Sequence, residues 1–148
     1  KGHEYMGKSL RDLFCQSVSR HYQQQQLSLP SLITPVPLHW RSQWNRGFNQ
    51  SACFSHALSQ HMGIAHFDHS RRVKWTQPQK ALSKKERIKS LRNNFLVTRR
   101  LNGESIVIVD DVMTTGATVN ALATELKRAG AGNICVWVLA RTPNYRFK

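Results

Sequence analysis

Two adjacent carboxylates, Asp110 and Asp111, end the aliphatic run Ile106-Val107-Ile108-Val109, and Thr114-Thr115-Gly116-Ala117-Thr118 follows after two further apolar residues. Paired acids beside an apolar strand repel each other and lose hydration, so they need donors. The hydroxyls of a polyol, or a hydrated divalent cation, would satisfy them. A threonine- and glycine-rich loop that opens a helix presents backbone N–H groups, hydroxyls and the positive end of the helix dipole, all of which favour a phosphate dianion. Gly116 lets the chain approach that phosphate closely. The pattern therefore describes a sugar beside a phosphate. The competing reading is an ordinary acidic strand-to-helix turn with Thr118 as its N-cap.

Such a site needs a strand before it and a helix after it. Ser105 to Val109 reads as a buried strand, with the acids at its carboxyl end. Thr118 to Ala129 reads as a helix, because Val119, Leu122, Ala123 and Leu126 recur at helical spacing and Gly130 is placed to end it. The segment "NICVWVLA" is a second buried strand. Strand, loop, helix and strand make a βαβ unit, hence a parallel α/β sheet whose ligands collect at the carboxyl ends of its strands.

Upstream, Leu10, Leu13, Phe14 and Val18 predict an amphipathic helix from about His3 to Gln24. Leu32 to Val36 reads as a short strand, stopped by prolines, with a turn near Pro37. A helix is expected from about Asn49 to His61, with Phe54, Ala57, Leu58 and Met62 on one face and Gly63 at its end. Ile64 to Ser90 lacks apolar periodicity and reads as a long excursion before a strand at Phe95 to Val97.

The chain has 148 residues, 40% of them hydrophobic, which fits one globular domain. It shows no apolar run long enough to span a bilayer and no signal peptide, so a soluble, cytoplasmic protein without membrane insertion is expected. It begins at Lys1 rather than Met, which suggests a fragment. Cys15, Cys53 and Cys135 are odd in number and form no CxxC pair, against both a zinc site and a disulfide framework. His56 with His61, and His66 with Asp68 and His69, are the histidine groups that invite a metal. No matching cluster stands near either in sequence, and metal sites need three or four converging ligands, so no metal site is expected there. The formal charge of +14 points to polyanionic partners, and it is concentrated in residues 71–100, where eleven Lys and Arg face Glu86 alone.

The segment "VIVDDVMTTGAT" resembles the phosphoribosyl pyrophosphate (PRPP) signature of type I phosphoribosyltransferases at every position. The resemblance implies a mostly parallel sheet flanked by helices, with a flexible hood loop. It also implies that Asp110 and Asp111 hold the ribose hydroxyls, that Thr114, Thr115, Gly116, Ala117 and Thr118 hold the 5′-phosphate, and that Mg²⁺ is bound through ligand oxygens. The blocks "PVPLHWRSQWNRGFNQS" and "TQPQKALSKKERIKSLRNNF" look like those of the ComF/GntX family, over about residues 33–142. By that resemblance Arg46 and Gly47 lie in the pyrophosphate loop, and Thr76, Gln77 and Arg87 in a hood spanning about residues 64–94. Members of that family are linked to DNA uptake in natural transformation. They usually carry an N-terminal cysteine-rich module, which this chain lacks.

Two functions follow from this reading. One is displacement of pyrophosphate from PRPP by an acceptor that the sequence does not reveal. The other is a single-stranded DNA-binding module of the uptake machinery that keeps a PRPP site as sensor or relic. For it, Trp40 and Trp44, with Arg71, Arg72, Lys74 and Trp75, would combine stacking with phosphate contacts, at ~1–3 kcal/mol per stacked base. Many domains of this fold dimerise, so a homodimer is also considered.

Overall fold

The computed structural model describes residues 2–38, 48–73 and 94–142, with side chains from residue 8 onward. In chain order its elements are α1 (Gly2–Gln24), β1 (Leu32–Pro35), α2 (Gln50–Met62), β2 (Ala65–His66), β3 (Ser70–Arg72), β4 (Phe95–Val97), β5 (Ile106–Met113), α3 (Ala117–Arg128) and β6 (Ile134–Arg141). Strands β2, β1, β5 and β6 form a parallel sheet in that order, and β3 pairs antiparallel with β4 in a separate ribbon. This is the α/β architecture that the βαβ pattern implies.

The sheet is buried on both faces, and β5 shows why. Successive side chains of a strand point to opposite faces. Ile106 and Ile108 join a core with Val119, Leu122 and Leu126 of α3, while Val107 and Val109 join another with Phe14 of α1 and Phe54 and Leu58 of α2. All four β5 residues have no exposed surface, which explains an unbroken aliphatic run rather than an alternating one. Phe14 meets Phe54 edge-to-face, with centroids 5.6 Å apart, and fastens α1 to α2.

Two expectations need correction. The acids were expected to follow a strand that ends at Val109, but β5 continues through them to Met113. Its pairing with β6 persists to Met113–Arg141, whereas its pairing with β1 stops at Pro35–Val109. Among the described residues, one side of β5 thus has no strand partner where the acids stand. The second correction concerns the first part of the expected excursion. Residues 64–73 contain β2 and β3, with Ile64 and Phe67 buried in the two cores. Two- and three-residue strands are too short to show a period, and tertiary pairing decides them.

Candidate functional site

Asp110 and Asp111 close the apolar part of β5 and face the first turn of α2. Asn49 caps that helix: its side chain accepts from the amide of Ala52 at 3.4 Å and donates through Nδ2 to the carbonyl of Val36 at 3.1 Å. The cap therefore ties α2 to the end of β1. One residue into the helix, the Ser51 hydroxyl lies 3.2 Å from Asp110 Oδ1 and 3.4 Å from Asp111 Oδ1. A cleft of about 390 Å³ opens here, lined by Val36, Leu38, Phe48, Asn49, Gln50 and Ser51 together with both acids.

The two carboxylates differ. Asp110 is buried and Asp111 only partly so. Burial, and then the neighbouring Asp111, push the Asp110 carboxyl up to about 6. The Ser51 hydroxyl and the Asp111 amide act in the opposite direction by donating to its oxygen. Near neutral pH the pair is a partly desolvated anion with spare acceptor capacity toward the cleft. Vicinal hydroxyl groups would match it.

Three residues beyond the pair, at Thr114, the chain enters the loop before α3. Thr114 and Thr115 are exposed, while Gly116, Ala117 and Thr118 are half-buried. Gly116, with φ of 73°, is the N-cap of α3 and supplies no side-chain cap, so an incoming anion is free to take that role. Thr118 was the N-cap in the competing reading, and in the structure it lies inside the helix. Thr115 Oγ1 accepts from the amide of Ala117 at 3.4 Å. The acid pair and the glycine-capped helix start are thus successive parts of one strand-to-helix connection.

Of the other sequence-derived site residues, Arg46, Gly47, Trp40, Trp44, Lys74, Trp75, Thr76, Gln77 and Arg87 lie outside the described residues. Arg71 and Arg72 are on β3. Arg71 is exposed, whereas Arg72 carries its guanidinium 5.8 Å above the Phe95 ring and has its pKa lowered by burial. Ser51 was not among the sequence candidates. Its signal was its position just after a capping Asn at a helix start.

The structure also joins histidines that were considered in separate groups. The His56 and His66 rings stack 4.0 Å apart, within 6° of parallel, and His66 Nε2 lies 2.8 Å from Ser55 Oγ. Asp68 Oδ1 is 2.8 Å from His66 Nδ1, although the ring N–H does not point along that line. Burial lowers the His66 pKa and favours the neutral ring. The ligand atoms of His56, His66 and Asp68 lie within 4.8 Å of one another, a grouping the sequence spacing did not give, although two parallel stacked rings do not direct their in-plane lone pairs at one point. His69 packs against Phe67 instead.

The phosphoribosyl transferase domain model matches residues 50–148, which include the acid pair, the loop and the first turn of α2. The chain belongs to the phosphoribosyl transferase domain family. Within that family it is 41% identical over 120 residues to competence protein F of Haemophilus influenzae, covering 78% of this chain and 52% of that protein. It is 43% identical over 117 residues to DNA utilization protein YhgH of Salmonella typhimurium, with the same shares covered. The chain thus spans about half the length of these curated relatives. A purine phosphoribosyltransferase from Pyrococcus horikoshii has the same fold, with a TM-score of 0.60 at 19% identity over 94% of this chain and 77% of that one. The recognition of a ComF-like phosphoribosyltransferase fold agrees with these relatives. No helix among the described residues is long and apolar enough to cross a membrane.

Proposed function

We propose that this domain binds PRPP, with the ribose hydroxyls on Asp110 and Asp111 and the 5′-phosphate on residues 114–118. One observation carries the reading. A desolvated carboxylate pair opens on a cleft and leads within one connection to a helix start whose N-cap, Gly116, has no side chain to cap it. The pyrophosphate would lie toward the start of α2, where Arg46 and Gly47 of the preceding segment would receive it. Thr76, Gln77 and Arg87 would contribute from a hood. Mg²⁺ would be carried by oxygens of the ligand itself, and the acid-lined cleft suits a hard cation in that place. When bound, it would neutralise charge on the leaving pyrophosphate.

In this reading an acceptor nucleophile would displace pyrophosphate from the anomeric carbon of the bound ligand. The names of the relatives, competence protein F and DNA utilization protein, support DNA uptake and use as the cellular setting, with the uptake machinery as partner. Calorimetric titration of PRPP with Mg²⁺ into the wild type and an Asp110→Asn, Asp111→Asn variant tests the site, with pyrophosphate release followed in the same samples. Binding lost in a folded variant supports the ribose assignment. Unchanged affinity removes it.

A second reading rests on the charge of +14. In it the domain binds single-stranded DNA through Trp40, Trp44, Arg71, Arg72, Lys74 and Trp75, as a cytoplasmic protein that either retains or has lost catalysis, alone or as a homodimer. Binding that weakens steeply with salt and is lost on Trp and Arg substitution supports this reading. Salt-insensitive or absent binding removes it.

A further inference from the structure

We propose that Ser51 is a positioning residue that fastens the first turn of α2 to the acid pair, coupling the ribose end of the cleft to the end formed by the helix start. This inference rests on the PRPP reading of the same site.

The geometry has three parts. Ser51 is 4% exposed, so its hydroxyl has little access to water and must find its partner within the protein. Among the described residues the acceptors within reach are the two carboxylates: Asp110 Oδ1 at 3.2 Å and Asp111 Oδ1 at 3.4 Å. A hydroxyl has one hydrogen, so it donates to one acid at a time, with Asp110 the nearer. Finally, Ser51 is two residues from Asn49, whose amide side chain anchors the same turn to the carbonyl of Val36. The helix start is therefore held at two points, β1 through Asn49 and β5 through Ser51. The second is the point at which the helix start touches the acids' own side chains.

The charge environment makes the link readable. Among the described residues, Asp111 is the charged group that acts on Asp110, and Ser51 is the contact from α2. The neighbouring residues of the cleft on β1 and in the segments around it, Val36, Leu38, Phe48, Asn49 and Gln50, are all neutral. Removing the hydroxyl takes away a donor that stabilises the ionised form, so Asp110 titrates at higher pH. A ribose held by carboxylate acceptors then binds less well, and the deficit grows as the pH falls.

The test combines PRPP calorimetry from pH 6 to 8 with a carboxyl ¹³C titration of Asp110, on wild type, Ser51→Ala and Ser51→Thr. Titration of the ligand's own phosphates cancels in the ratio between proteins. For Ser51→Ala the expected results are a higher Asp110 midpoint and roughly tenfold weaker PRPP binding at pH 8, since bonds to charged acceptors are the stronger class. That gap widens toward pH 6, and Ser51→Thr, which keeps a hydroxyl, moves both readouts back toward wild type. An unchanged Asp110 midpoint in folded Ser51→Ala overturns the proposal, as does wild-type PRPP affinity with a wild-type pH profile. If the wild type binds no PRPP while the Asp110 midpoint still moves in Ser51→Ala, the ribose reading fails and the Ser51 link is upheld.

Discussion

The amide of Asp111 donates to Oδ1 of Asp110 across 3.1 Å, so one residue acts on its neighbour in two opposed ways. Its carboxylate disfavours the charge on Asp110, and its backbone N–H favours it. Burial adds to the first effect and outweighs the donors, leaving Asp110 at about 6. The pair is thus costly to the empty fold and suited to a ligand that brings hydroxyl donors.

The cost sets the sign of a pH effect. Asp110 has a folded pKa above its ordinary value of 3.8, so the folded state holds its proton more tightly than the unfolded chain does. Its contribution to stability is fully present below pH 4 and is lost as the pH rises through about 6. Asp110→Asn should therefore gain about 2 kcal/mol at pH 8, discounted from full burial because the carboxylate borders an open cleft. It should also flatten the stability profile between pH 4 and 7 and lose PRPP binding. Urea unfolding across that range checks this, and a variant less stable than wild type at pH 8 contradicts it.

Gly116→Val separates the proposed phosphate contact from the stability of the fold. A Cβ at this position meets Met113 Sδ at 3.6 Å and Asn120 Nδ2 at 4.0 Å, which is ordinary contact. The φ of 73° is the remaining cost, about 1–3 kcal/mol for a β-branched residue. PRPP affinity should fall at least about tenfold, through a side chain at the phosphate and a reshaped helix start. Calorimetry on the folded variant decides it, and wild-type affinity would show that the loop does not cradle phosphate.

Gly130 is a structural contrast. It follows α3 with φ of 105°, and a Cβ there would sit 2.1 Å from the carbonyl oxygen of Leu101. That backbone is held in place by hydrogen bonds from Leu101 N to Ala129 O and from Gly103 N to Gly130 O. Gly130→Ala should cost about 2–4 kcal/mol by strain and overlap. Its unfolding midpoint should drop well below that of Gly116→Ala, and equal midpoints would contradict the crowding.

Asn49→Ala removes the cap of α2 and the bond to Val36 together. The expected loss is about 1–2 kcal/mol in denaturant unfolding. Asn49→Asp keeps the capping oxygen and loses the donor to Val36, so it should fall between wild type and Asn49→Ala. An Asn49→Ala stability equal to wild type would show that neither bond matters to the helix.

Much of this protein was legible in its sequence because the signals are local. The periods of α1, α2 and α3 and the aliphatic runs of β5 and β6 each lie within one segment, and the observed ends fall within a few residues of those expected. The acid pair and the loop could be placed for the same reason, since they are near-consecutive residues of one strand-to-helix connection. The tertiary structure decided what depends on distant partners. β5 runs through its acids because β6 continues to pair with it, and β2 exists because β1 offers it an edge. Asp110 differs from Asp111 because burial falls on one of two identical side chains. Ser51 reaches both because β1 stops at Pro35 and α2 begins beside the gap. Fifty-nine positions separate Ser51 from Asp110 in the chain, and no local pattern encodes a hydrogen bond across that distance.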